Sequence, residues 1–153
     1  MMHWKRWRTE LNLTHITPDD CAELAALDKR CFAVPWSEQS FREETENRLA
    51  TYIIARQDGK ITGYCGFWRV GDEVQITNIA VLPEYRRQGT AAAMIDEMFG
   101  ECAGAEQFVL EVRESNAAAI RLYEKYGFEK AGVRKNFYRS PTENGIVMIR
   151  RKD

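Results

Sequence analysis

In the run Ile79-Ala80-Val81-Leu82-Pro83-Glu84-Tyr85-Arg86-Arg87-Gln88-Gly89-Thr90-Ala91, an apolar strand end meets a proline break, a basic turn and the small residues of a helix start. That order can hold an anion. The first N–H groups of a helix have no intrahelical acceptor, and the helix dipole puts partial positive charge beside them. Gly89 permits close approach of a ligand, while Thr90 and Ala91 leave the opening turn unobstructed. The run lacks the Gly-Lys-Ser/Thr ending of a Walker loop, and its single glycine fails the G-x-G-x-x-G dinucleotide fingerprint. An ordinary strand-to-helix connection, with Arg86 and Arg87 on a solvated face, satisfies the same pattern.

A second set of reactive side chains follows. Strand alternation in Val109-Leu110-Glu111-Val112-Arg113 puts Glu111 on the face opposite Leu110 and Val112. A carboxylate there is either a structural group satisfied by an amide or an arginine, or a general base near the middle of a sheet. On the next helix, Asn116, Ala119 and Tyr123 recur at intervals of three and four and share a face. A small alanine between two polar side chains suggests a groove along which a ligand lies; a core aromatic with its hydroxyl at the surface accounts equally for Tyr123.

The elements that must position these groups form one mixed sheet with helices. Leu11 to Ile16 reads as a strand, and Thr17-Pro18-Asp19-Asp20 as the start of a helix reaching about Cys31. Pro35 bars continuation, and Ser37 caps a second helix towards Arg48. Thr51 to Arg56, Ile61 to Trp68 and Val74 to Val81 are β-rich runs joined by turns at Asp58-Gly59 and Gly71-Asp72. The helix after the cradle carries Met94, Met98 and Cys102 on one face and leads to a strand over Phe108 to Arg113. That crossover makes the strands ending at Val81 and Arg113 parallel. A helix from Asn116 to a left-handed cap at Gly127, and strands at about Glu129 to Tyr138 and Ile146 to Arg151, complete the reading.

Composition limits the class. A chain of 153 residues fits one domain with a sizeable core, and a net charge of −1 offers no global case for nucleic acid. Cys21, Cys31, Cys65 and Cys102 are scattered, and with only His3 and His15 beside them they make a poor metal set. Buried reduced thiols, and hence a cytoplasmic location, are the expectation over a disulfide framework. No signal-peptide core and no membrane-spanning apolar run is present in the sequence. The basic, aromatic segment Met1 to Arg8 is either a flexible terminus, a segment packed on the first strand, or a contact for ribosomal RNA or an acidic partner.

Together these pieces resemble the GNAT acyltransferase superfamily over nearly the whole chain. Arg86 to Ala91 is similar to its acetyl-CoA pyrophosphate loop. The finer resemblance is to the RimI branch, which acetylates the N-terminus of a small-subunit ribosomal protein. It rests on Pro35-Trp36-Ser37 with Phe41, Asn78-Ile79-Ala80-Val81, Leu110-Glu111-Val112-Arg113, Ser115-Asn116, Leu122-Tyr123, Gly127-Phe128 and Arg134-Lys135-Asn136-Phe137-Tyr138.

The resemblance implies the GNAT fold: a sheet of about seven strands, splayed near Val81 and Val112, with about four helices. It implies acetyl-CoA as cosubstrate, without metal. Ile79, Ala80 and Val81 would hold the pantetheine arm and the thioester carbonyl, and the amides of Arg86, Arg87, Gln88, Gly89, Thr90 and Ala91 the pyrophosphate. Asn116, with Ala119 beside it, would line the cofactor arm. Glu111 would be the base and Tyr123 the acid. Trp36 and Tyr138 would wall a peptide N-terminus, although simple packing explains both. The chain departs from the branch in reading Glu143-Asn144-Gly145 where Glu-Asp-Ala is expected, and in having Phe137 for a frequent tyrosine. The lost carboxylate weighs against a basic peptide. Acetylation of a small amine, such as a polyamine or antibiotic, and a CoA-binding regulatory module remain as alternative functions, with no membrane partner and no direct nucleic-acid contact expected.

Overall fold

The computed structural model describes residues 10–152; the segment Met1 to Arg8 lies outside the described residues. The chain runs through β1 (Asn12–His15), a 3-10 turn (Pro18–Asp20), α1 (Cys21–Cys31), α2 (Glu38–Thr45), β2 (Ala50–Gln57), β3 (Lys60–Val70) and β4 (Glu73–Val81). A second 3-10 turn (Pro83–Tyr85) leads into α3 (Thr90–Glu101), β5 (Gln107–Arg113), α4 (Ala117–Lys125), β6 (Glu129–Tyr138) and β7 (Glu143–Arg151). The strands form one seven-stranded sheet in the order β1-β2-β3-β4-β5-β7-β6. As the crossover requires, β4 and β5 are parallel, and β7 returns antiparallel to both β5 and β6. The β4–β5 ladder pairs Glu73 with Gln107, Val74 with Phe108 and Gln75 with Val109. It ends before the segments Asn78 to Val81 and Leu110 to Arg113.

Local chemistry explains where the elements begin and stop. The Asp20 carboxylate accepts from the Thr17 N–H at 2.8 Å, tying the Pro18–Asp20 turn, so the α-helix proper starts at Cys21 and not at Pro18. Ser37 caps α2 by accepting from the Ser40 N–H at 3.1 Å. That helix ends at Thr45, earlier than the expected Arg48. Asn47 bends the chain there by accepting from the Leu49 N–H with its side chain. The last strand begins at Glu143, three positions before the expected Ile146, because Glu143 pairs with Tyr138 and Gly145 with Arg113.

The residues group into two compact units. The first holds the described residues up to Gly66 together with Asn78–Glu101. Its core brings Leu24 and Leu27 of α1 onto Phe41, Tyr52 and Tyr64, while Met94, Ile95 and Met98 of α3 are also buried. The second comprises Phe67–Thr77 and the residues from Cys102 onward. Here Phe108, Leu110 and Val112 alternate inwards along β5, with Ile120, Phe128, Ile146 and Met148 also buried. All four cysteines are free; Cys21, Cys65 and Cys102 are buried, and Cys31 is half-buried. Among the described residues, no helix is long and apolar enough to cross a membrane.

Candidate active site

The first unit carries the cradle. After β4 the Leu82 N–H donates to the Thr62 carbonyl at 2.8 Å, and the Pro83–Tyr85 turn then swings the chain towards α3. Arg86 turns back: its Nε donates to the Val81 carbonyl at 2.8 Å, so this side chain braces the loop. Arg87 and Gly89 both adopt left-handed backbone, at φ 62° and 82°. For a non-glycine residue that conformation costs on the order of 1–3 kcal/mol, and alternating backbone of this kind turns successive N–H groups towards one concavity. A Cβ built on Gly89 would meet nothing within 4 Å, so the space before the loop is open. Thr90 and Ala91 begin α3, where their N–H groups have no intrahelical acceptor. These features fit a pyrophosphate.

The strand entering the cradle is held closely. Ala80 and Val81 are buried, while Asn78 and Ile79 are partly exposed. A Cβ on Gly63 would come within 2.7 Å of the Ala80 carbonyl oxygen, so this close approach requires glycine, a constraint the sequence reading missed. Trp36, in the loop between α1 and α2, lies 5.4 Å from Phe41 and 6.3 Å from Tyr52 between ring centroids. Its packing role is therefore real. Its N–H donates to Asp28, a buried acid that was not singled out from the sequence.

The second unit carries the proton-transfer candidates. Glu111 projects from β5 on the less buried face, 28% exposed, with Arg134 of β6 at 3.6 Å. A loose, partly exposed pair of this kind contributes about 0–1 kcal/mol. Tyr123 is buried on α4, its ring 5.7 Å from Phe128. Its carbonyl accepts from the Tyr126 and Phe128 N–H groups, closing the helix at Gly127, which has φ 88°. Asn116 is the N-cap of α4, its Oδ1 accepting from the Ala119 N–H at 3.1 Å. The side-chain amide oxygen of Asn116 is thus engaged in the helix start. Tyr138 is half-buried, and burial followed by the Glu111 charge pushes its hydroxyl up to about 12, so it remains a donor at neutral pH.

Arg113 organises the final hairpin, a role unassigned from the sequence. Its guanidinium donates to the carbonyls of Arg139 and Pro141 at 2.8 and 2.9 Å and to Glu143 at 3.1 Å, and it lies 4.6 Å over the Tyr138 ring. Glu143 also accepts from the Ser115 N–H, just before α4. Asn144 accepts from the N–H of Asn136, which has φ 53°, with its Oδ1 at 3.0 Å. An amide oxygen can make this bond as a carboxylate can, although it brings no charge to the hairpin. Gly145 has the Phe137 ring where a Cβ would sit, 3.0 Å from Cδ2. The Phe137 and Gly145 departures therefore accommodate one another.

The family model described as Acetyltransferase (GNAT) family matches residues 21–128. The chain is 40% identical over 121 residues to the ribosomal protein bS18-alanine N-acetyltransferase of Escherichia coli, covering 78% of this chain and 80% of that one. It is 32% identical over 144 residues to the N-alpha-acetyltransferase RimI of Mycobacterium tuberculosis, covering 90% and 89%. The crystal structure of the ribosomal-protein-S18-alanine N-acetyltransferase from Escherichia coli superposes with a TM-score of 0.86 at 33% identity, over 93% of this chain and 94% of that chain.

Proposed function

Because this chain belongs to the acetyltransferase (GNAT) family and is an acetyl-CoA-dependent N-acetyltransferase, we propose that its acceptor is the α-amine of an N-terminal alanine, that of ribosomal protein bS18. The observation that carries this reading is the kinship to bS18-alanine N-acetyltransferases along most of both chains. Such a substrate places the enzyme in the cytoplasm, where free thiols persist.

Acetyl-CoA supplies an activated acetyl thioester. The chain's own groups do the rest. In this reading the backbone of Ile79 to Val81 aligns the thioester arm, the N–H groups of Arg86 to Ala91 hold the pyrophosphate, and Asn116 and Ala119 line the arm from α4. A peptide α-amine has a pKa of about 8, so much of it is protonated at neutral pH and must lose a proton before it can attack. Glu111 takes that proton, directly or through water. Tyr123 donates one to the departing sulfur, while Trp36 and Tyr138 wall the peptide N-terminus. Direct attack needs no covalent enzyme intermediate.

The test is intact-mass analysis of peptides beginning with Ala, Ser, Met or Lys, and of free polyamines, incubated with acetyl-CoA. Ala-terminated peptides should gain one acetyl group fastest. Turnover on free amines but not on peptides would replace this acceptor, and no transfer to any amine would remove the catalytic reading. Saturating acetyl-CoA should also raise the melting temperature. At about 100 Kd the ligand adds about 2.7 kcal/mol, a shift of several degrees for a domain of this size. Gly89→Glu should abolish that shift by blocking and repelling the phosphates, and calorimetry showing unchanged affinity would place the phosphates elsewhere.

A further inference from the structure

We propose that Asp28 and Tyr64 are positioning residues for the acceptor, a buried strut that fixes the loop carrying Trp36. The inference rests on the reading of Trp36 as a wall of the acceptor site, and its geometry lies wholly within the first unit.

Asp28 is fully buried on α1, next to the apolar Leu24 and Leu27, and among the described residues no lysine or arginine forms an ion pair with it. A carboxylate in such a place is costly unless its oxygens are satisfied, and an apolar side chain of similar volume would serve stability as well. Its two oxygens are fully used. Oδ2 accepts from the Trp36 N–H at 2.8 Å, and Oδ1 accepts from the Tyr64 hydroxyl at 2.6 Å. The backbone carbonyl of Asp28 also accepts from the Phe32 N–H, ending α1. From the end of α1, the Asp28 side chain therefore grips the chain beyond Pro35, where residues 32–37 have no regular structure of their own.

Rings complete the arrangement. Tyr64 meets Phe41 edge-on at 5.5 Å and stacks on Tyr52 at 6.0 Å, and Trp36 packs on both Phe41 and Tyr52. Those contacts hold the indole laterally, and the Asp28 bond fixes its backbone. The cradle is braced by a different set of bonds, Arg86 to Val81 and Leu82 to Thr62. Loss of the strut should therefore act on the acceptor and spare the cofactor.

The experiment compares Tyr64→Phe and Asp28→Asn with the wild-type chain. Amide hydrogen exchange at Trp36 should accelerate by roughly 10-fold or more, since a hydrogen bond to a charged group is lost or weakened. The KM for an Ala-terminated peptide should rise by a similar factor, with kcat changing less and the Kd for acetyl-CoA moving by less than about 2-fold. Unchanged Trp36 protection and peptide KM would overturn the proposal, as would a Kd for acetyl-CoA that rises as much as the peptide KM. If the wild-type chain acetylates no peptide, the acceptor reading fails, and the exchange measurement alone decides the strut. Should Asp28→Asn fail to fold, Tyr64→Phe, which keeps the ring and its packing, decides in its place.

Discussion

Replacing Tyr123 with phenylalanine should lower turnover by roughly 10²- to 10⁴-fold while leaving acetyl-CoA affinity near its wild-type value. The size of the effect follows from what leaves. A departing thiolate needs a proton, and the hydroxyl is the only part of Tyr123 that the substitution removes. The ring stays against Phe128, and the two hydrogen bonds that close α4 fall on the Tyr123 carbonyl, which phenylalanine retains. Stopped-flow release of the thiol would read the chemical step apart from binding. A fully active Tyr123→Phe would return this residue to the core-aromatic reading, which its burial alone would satisfy.

The parts legible in the sequence are those whose logic is local. The cradle lies within one contiguous run, so proline, glycine and small residues announce both the break and the helix start, and Gly89 takes the left-handed conformation that such a turn demands. Strand alternation likewise placed Glu111 opposite Leu110 and Val112. Non-local bonds were another matter. Asp28 sits among the apolar positions of α1, and that misplaced charge was the available signal. Its partners come from another loop and another strand, and no spacing rule joins them.

Arg113 and Asn144 show the same limit from the hairpin side. An arginine at a strand end reads as a solvated charge until the carbonyls of Arg139 and Pro141 are brought to its guanidinium. Asn144 read as a carboxylate lost from an acceptor site, and its side-chain oxygen also accepts from the Asn136 N–H, a bond that the sequence does not announce. Asn116 was read on a helix face with Ala119 and Tyr123, but it stands one residue ahead as the cap. Ser115-Asn116 before a run of alanines is itself a capping signal, so this correction was available from the sequence.

Glu111→Gln should lose a comparable factor at neutral pH, roughly 10²- to 10⁴-fold, and should do so with a different dependence on pH. With the base removed, only acceptor that is already neutral can react. The amine has a pKa of about 8, so the residual rate should climb with rising pH until that value is passed and then level off. The wild-type rate should depend less on pH over that interval, because Glu111 draws the proton from the bound amine. Stability should barely respond: the Arg134 pair is loose and partly exposed, worth at most about 1 kcal/mol, and glutamine still offers an oxygen to the guanidinium. Since Tyr123 is intact in this variant, a defect that grows as the pH falls isolates proton removal from leaving-group protonation. Retention of the wild-type rate and profile would make Glu111 the structural partner of Arg134, and the base would then have to be sought in water or in another carboxylate.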